Sequence, residues 1–149
     1  MRSLLLSLMF LCNTAFASEF ITTQDLSKQS RIATQTGEVI VLMLSLSDCP
    51  HCHTLRSDIL YPWAISGEYE NKVRFVQTYI DRGMLITGFD EQTIDAPVFA
   101  KKYKSNIATV VLFLDAKGNE LSERMVGANN LDMYGYYLDQ AIAEALTKI

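Results

Sequence analysis

The chain has 149 residues, a formal net charge of −4, 49% hydrophobic residues and 20% charged ones. That length gives one domain with a sizeable core and hardly two, and the balance is that of an ordinary globular protein. The slight acidity, with no basic run and no low-complexity tract, removes the electrostatic reason to expect a nucleic-acid partner.

Met1-Arg2 supplies a short positive start, Leu4 to Leu11 is almost wholly apolar, and Ala15-Phe16-Ala17 is a small-x-small site. Together they predict a secretory signal peptide over residues 1–17, cut after Ala17, followed by one domain over 18–149. The apolar stretch falls short of the ~20 residues that span a bilayer, so a cleaved leader is expected rather than an anchor. Cys12 would leave with the leader, so Cys49 and Cys52 are the cysteines of the expected mature chain. An exported chain meets an oxidising compartment, where a thiol pair is either a stable disulfide or a managed redox couple.

In chain order, Ser18 to about Gln35 reads as a helix, capped by Thr22 or Thr23 and ended by Gly37. Glu38 to Ser45 contains the continuous apolar run Val39-Ile40-Val41-Leu42-Met43-Leu44 and reads as a buried central strand. It leads into Cys49-Pro50, where a proline suits the first turn of a helix. That helix is expected to run to about Leu60 and to break or kink at Tyr61-Pro62, with a second short piece from Trp63 to about Tyr69. Val73 to Ile80 alternates and reads as a strand, and Asp81 to Asp95 as a loop. Pro97 opens a helix through Tyr103. Val110 to Leu114 is the next strand, Asp115 to Asn119 a tight turn, and Leu121 to Val126 the returning arm of a hairpin. Leu131 to Lys148 has Tyr134, Leu138 and Ile142 at helical spacing. The order predicts an α/β fold with a mixed central sheet and helices on both faces.

The stretch that carries chemistry is Cys49-Pro50-His51-Cys52, with His53 directly after it. Two thiols at this spacing can close a small disulfide, clamp a metal or, with His53, attach a c-type haem. A purely structural bridge is disfavoured, because so small a loop restrains little chain. Disulfide exchange needs an exposed thiolate and a resolving thiol behind it. Cys49 is the expected nucleophile, since the N–H groups and partial positive charge of a helix N-terminus stabilise a thiolate. Cys52, one turn on, is the expected resolving thiol. Pro50 and His51 are expected to tune the redox balance: His51 adds positive charge when protonated, and Asp48 acts in the opposite sense. His53 is expected to be passive. Tyr61, Trp63 and Phe89 can line a groove around Cys49, although packing is the expected job of each.

Two other chemistries use the same cysteines. A copper or zinc module would add His51 or His53, but there is no second Cys pair to complete a closed tetrahedral site. Haem attachment would take His53 as one axial ligand and Met84, Met125 or Met133 as a candidate second. The buried strand running straight into the motif, and the strands that follow, weigh against haem.

The order of elements and several segments resemble the thioredoxin superfamily, and within it the periplasmic SoxW-type thioredoxin-like proteins. The resemblance covers about Ile32 to Leu146. It rests on Leu42-Met43-Leu44-Ser45 leading into Asp48-Cys49-Pro50-His51-Cys52, on Gly88-Phe89-Asp90, on Ala100-Lys101-Lys102-Tyr103, on Ile107-Ala108-Thr109-Val110-Val111-Leu112-Phe113, and on Asp115-Ala116-Lys117-Gly118. It implies a thioredoxin-like fold and a periplasmic, monomeric thiol–disulfide oxidoreductase. Its working group would be the redox-active Cys49–Cys52 disulfide, with no separate cofactor. Partners would be periplasmic protein thiols or disulfides of sulfur oxidation or cytochrome maturation, with electrons drawn from a membrane thiol carrier. The Pro50-His51 pair is similar to that of the oxidising DsbA-type enzymes, whereas SoxW-type relatives act mainly as reductants, so the direction stays open.

Two departures stand out. The family has a cis-proline where this chain has Ala108, in the loop that holds substrate beside the disulfide. That aligns Ala108 and Thr109 with the substrate loop. A cis bond before a non-proline costs ~3–4 kcal/mol, so the Ile107–Ala108 bond is expected to be trans. Met43 stands where thioredoxin has a buried acid, so no proton acceptor is expected from that position.

Overall fold

A computed structural model describes residues 19–105, 107–128 and 130–149. The expected leader, residues 1–17, lies outside them. The chain runs β1 (Ile21–Thr22), α1 (Leu26–Thr36), β2 (Val39–Ser45), α2 (Pro50–Leu55), a π-helical turn (Arg56–Leu60), α3 (Tyr61–Ile65), β3 (Val73–Tyr79), β4 (Leu85–Thr87), β5 (Thr93–Asp95), α4 (Ala96–Lys102), β6 (Val110–Leu114), β7 (Met125–Val126) and α5 (Tyr134–Leu146).

β-Branched and long aliphatic side chains make β2 extended, and every residue in it is buried, so water reaches neither face. It therefore takes the centre of a five-stranded sheet in the order β1-β3-β2-β6-β7. β3 lies parallel to it, with Met43 opposite Gln77, and β6 antiparallel, with Met43 opposite Val111. Alternation along β2 divides the core in two. Val39, Val41 and Met43 face Leu55, Leu60 and Ala64 from the helical run after the cysteines, and Leu138 and Ile142 from α5. Ile40, Leu42 and Leu44 face Leu26 and Ala33 from α1, and Phe99 and Ala100 from α4. Each of the larger of these apolar side chains, the Val, Leu, Ile, Met and Phe residues, contributes roughly 1.5–3 kcal/mol on burial. The mixed sheet with helices on both faces is the architecture expected from the sequence.

Several boundaries differ from the sequence reading. Residues 19–24 are not helical: Ile21 and Thr22 add a parallel edge strand to β3, opposite Val76 and Gln77. These branched residues favour extended backbone, and the open edge of β3 supplies hydrogen-bond partners. Asp25, rather than Thr22 or Thr23, caps α1 by accepting from the Lys28 N–H. Gly37 ends the helix as expected, in the left-handed region at φ 73° with its N–H on the Ala33 carbonyl.

Helix after helix continues through Tyr61-Pro62 without a break. In the intervening π-helical turn the Tyr61 N–H reaches the Arg56 carbonyl, five residues back, so the coil is already widened where Pro62 follows. Within 81–95, read as loop, β4 and β5 pair as a small antiparallel hairpin with Ile86 opposite Ile94. Three-residue arms are too short to show a period. The returning arm after β6 is interrupted: Leu121 donates to the Phe113 carbonyl, but regular pairing resumes only at Met125–Val126. Between them the Ser122 hydroxyl leaves the sheet to donate to the Ala141 carbonyl of α5. Phe89 packs on Phe99, in the core cluster on the other face of the sheet from Cys52.

Asp25→Ala is expected to destabilise the fold by about 1 kcal/mol at neutral pH through loss of the α1 cap. The Ser27 hydroxyl above all, helped by the Lys28 and Ser27 amides and by Arg31, holds the Asp25 carboxyl below its ordinary range against the opposing effect of burial. Its folded-state pKa is the lower one, so this stabilisation is present above the carboxylate range and lost as the pH falls through it. Urea midpoints of the variant and the wild type should therefore differ at about pH 7 and converge towards about pH 2.

Candidate functional site

The cysteines stand where β2 ends and α2 begins, as the apolar run and Pro50 predict. Cys49 is the N-cap residue of α2, extended at φ −139° and ψ 96°, and Pro50 occupies the first turn. The Cys49 Sγ accepts the Cys52 N–H at 3.2 Å. Cys49 and Cys52 form a disulfide with their Cα atoms 5.2 Å apart, within the ordinary range for such a bridge. Their exposure is unequal: Cys49 is half-buried, while Cys52 is 2% exposed and sits in the core cluster with Met43 and Leu55. Pro50, His51 and His53 are exposed.

Asp81 holds the approach to the cysteines. Its carboxylate accepts from the Ser47 N–H at 3.0 Å and the Ser47 hydroxyl at 2.9 Å. The end of β2 is thereby tied to the segment after β3. Gln24 works similarly at the edge of the sheet: its side-chain oxygen accepts from the Tyr79 N–H and the Thr78 hydroxyl. Sequence reasoning assigned neither residue. The signal for Asp81 was its place just past the predicted end of a strand parallel to β2.

Beneath the pair the floor is apolar. Met43 is fully buried, and no carboxylate comes from that position. Gln77, abreast of Met43 on β3, is 2% exposed and its Oε1 has no protein partner. Trp63 packs against the same cluster, stacks on Tyr69 with centroids 5.7 Å apart, and lies against Gly135 of α5. The Tyr69 hydroxyl donates to the Asp139 carboxylate; burial first, then this carboxylate, push its pKa up. Trp63 is thus a brace between helices, the packing role expected of it. Tyr61 is 48% exposed.

Opposite the cysteines, the Ile107–Ala108 bond is trans, as its cost predicts. Ile107 is exposed, Ala108 half-buried and Thr109 6% exposed. Thr109 has φ +64°, and its hydroxyl lies 3.2 Å from the Cys52 Sγ and 3.7 Å from the Cys49 Sγ. Thr109 turns towards the sulfurs, and Ala108 borders a cleft of about 440 Å³ whose charged groups are Arg82 and Lys101. A larger cleft, about 850 Å³, lies between β7 and α5 and includes neither cysteine.

The histidines do not join the cysteines in a donor set: among the described residues, no three His, Cys, Asp or Glu side chains gather closely enough to hold a metal ion. Of the candidate axial methionines, Met84 packs with the opposite core cluster, and only Met125 lies against the cluster that contains Cys52.

Comparison with known proteins gives a consistent result. A family model described as a thioredoxin-like domain matches residues 26–142. A search of curated proteins finds no match. Among solved structures the chain is similar to thioredoxin f from spinach chloroplast (short form) at 17% identity and a TM-score of 0.60, over 88% of this chain and 96% of that one. It is similar to a poplar thioredoxin h mutant at 15% identity and a TM-score of 0.59, over 89% and 86% of the two chains. With Fasciola hepatica thioredoxin the identity is 17% and the TM-score 0.55, over 85% and 99%. At such identities the likeness is one of fold. A thioredoxin-like fold with a Cys-x-x-Cys disulfide at this strand-to-helix junction supports thiol–disulfide oxidoreductase activity. With the family model spanning most of its length, this chain belongs to the thioredoxin-like domain family.

Proposed function

We propose that the protein is an exported, periplasmic thiol–disulfide oxidoreductase that exchanges disulfides with protein partners through Cys49 and Cys52. The observation that carries this reading is the unequal exposure of the two sulfurs at the head of α2. An attacking partner can reach half-buried Cys49 but not buried Cys52.

When the protein acts as oxidant, a partner thiolate attacks the Cys49 Sγ and the Cys49–Cys52 bond breaks. The electron pair leaves on the Cys52 sulfur, and the partner is held as a mixed disulfide. A second partner thiolate then attacks the partner sulfur of that bond, which releases an oxidised partner and a reduced cysteine pair. The reductive direction is the reverse, with Cys49 as attacking thiolate and Cys52 as the sulfur that resolves the mixed disulfide.

The export half of the reading is supported by the leader-like residues 1–17, after which Cys49 and Cys52 are the cysteines that remain. The SoxW-type resemblance suggests partners in sulfur oxidation or cytochrome maturation, a membrane thiol carrier as electron source, and a monomeric protein. The cleft that Ala108 borders offers a place for a partner segment, and its Arg82 and Lys101 favour an acidic one.

Cys49→Ser is expected to abolish disulfide exchange with a protein substrate, measured by insulin reduction or by refolding of a reduced substrate. Full activity in that variant would overturn the assignment. Cys52→Ser should accumulate mixed disulfides with partner proteins, visible as adducts on non-reducing gels that reductant removes.

His51 lies between the cysteines, where an imidazolium favours the thiolate and hence the reduced form. His51→Ala is therefore expected to make the reduction potential more negative, by on the order of 30 mV (about 1.4 kcal/mol), measured by equilibration with glutathione. The wild-type value itself reports direction, since DsbA lies near ~−120 mV and thioredoxin near ~−270 mV.

A further inference from the structure

Thr109 is a β-branched residue in the left-handed region, at φ +64°, which such residues avoid. Backbone of this kind persists where the surroundings over-determine it. Here the Thr109 N–H donates to the Leu44 carbonyl at 3.0 Å, and its carbonyl accepts the Gly127 N–H at 2.7 Å. Pinned on both sides, the residue directs its hydroxyl inward, within hydrogen-bonding reach of both sulfurs.

Among the described residues, the other hydrogen-bond partner of these sulfurs is the Cys52 N–H, which reaches Cys49 alone. Buried Cys52 has the Thr109 hydroxyl and no ionised side chain as partner. β2 contributes Met43 rather than a carboxylate, and the charged or titratable neighbours along the chain, Asp48, His51 and His53, are exposed. A hydroxyl has one donor and two acceptor lone pairs, so it can accept from a thiol and donate to a thiolate at once.

We propose, resting on the exchange reading above, that the Thr109 hydroxyl is a hydrogen-bond switch that donates to whichever of Cys49 and Cys52 carries the negative charge. In the reduced protein, the Cys49 thiolate accepts from the Thr109 O–H and the Cys52 N–H, while the Cys52 thiol donates to the Thr109 oxygen. Once Cys49 is tied up in a mixed disulfide, its sulfur carries no charge. The Cys52 proton passes to water and the Thr109 O–H turns to the Cys52 thiolate. That thiolate attacks the Cys49 Sγ, the Cys49–Cys52 bond forms, and the bond to the partner breaks with its electron pair leaving on the partner sulfur. The pair of cysteines is oxidised by two electrons and the partner disulfide reduced by two. Thr109 is in this sense a catalytic residue rather than only a wall of the substrate loop.

Thr109→Val keeps the branched shape and the backbone strain and removes only the hydroxyl, whereas Thr109→Ser keeps the hydroxyl. Two readouts apply: the thiolate absorbance of the reduced protein as a function of pH, and the lifetime of a mixed disulfide formed on Cys49. The valine variant is expected to raise the Cys49 thiolate pKa by about one unit and to lengthen the mixed-disulfide lifetime about tenfold. The serine variant should stay within about twofold of wild type in lifetime. An unchanged valine variant, or a serine variant as impaired as valine, overturns the proposal. Thr109→Ala supplies the same comparison if the valine variant fails to fold. A wild-type protein without exchange activity would sink the exchange reading, while the thiolate titration would still report on the hydroxyl.

Discussion

The hydrogen bond from the Thr109 N–H to the Leu44 carbonyl lies one residue beyond the last β2–β6 pair, Leu44 with Val110. Five residues further along the chain from Leu44 stands Cys49. The same end of β2 therefore positions the disulfide and, through this bond, the residue that faces it. The opposing loop cannot drift without breaking a pairing anchored in a strand buried at every residue. Gly127 completes the restraint from the side of β7, at φ 81°, a conformation that glycine adopts without steric cost.

Energetic proportions explain why an unusual backbone survives here. A non-glycine residue in the left-handed region costs on the order of 1–3 kcal/mol. Against it stand the apolar side chains of β2, buried on both faces and contributing roughly 1.5–3 kcal/mol each. The two backbone bonds that flank Thr109 are attached to that core, so the local cost is small beside what would be lost by releasing the segment. The trans bond before Ala108 belongs to the same arrangement. A proline would fix the direction of the loop by its ring, whereas here the direction is set by hydrogen bonds to the two neighbouring segments.

The site is braced from its other sides by contacts that are polar or aromatic rather than aliphatic. Asp81 fastens Ser47, so the turn into α2 is held by a carboxylate and not by packing alone. Trp63, on the far end of the helical run, lies between Tyr69 and Gly135 and joins that run to α5. The π-helical turn keeps the run continuous past Pro62 and so carries Trp63 to that position. With Met43 as an apolar floor, the hydrogen-bond partners of the sulfurs among the described residues are the Cys52 N–H of α2 and the Thr109 hydroxyl.

Local chemistry was enough to read some of this from the amino acids. A continuous branched and aliphatic run can only be a buried strand or a buried helix, and its length with the following Pro50 decides for a strand that feeds a helix. The position of Cys49 and Cys52 follows, and so does the layered α/β class. Other features depend on partners far along the chain and leave no local trace. The left-handed Thr109 is imposed by Leu44 and Gly127, the Ser47 anchor by Asp81, and the edge strand at Ile21 by the open side of β3. The short β4–β5 hairpin has arms too brief for a period, and Phe89 took the opposite face of the sheet from the cysteines because Phe99 is there to receive it. Periodicity and composition report which face of an element is apolar. Which polar group meets a given sulfur is decided only when segments distant in the chain come together, as the Thr109 hydroxyl does at 3.2 Å from the Cys52 Sγ.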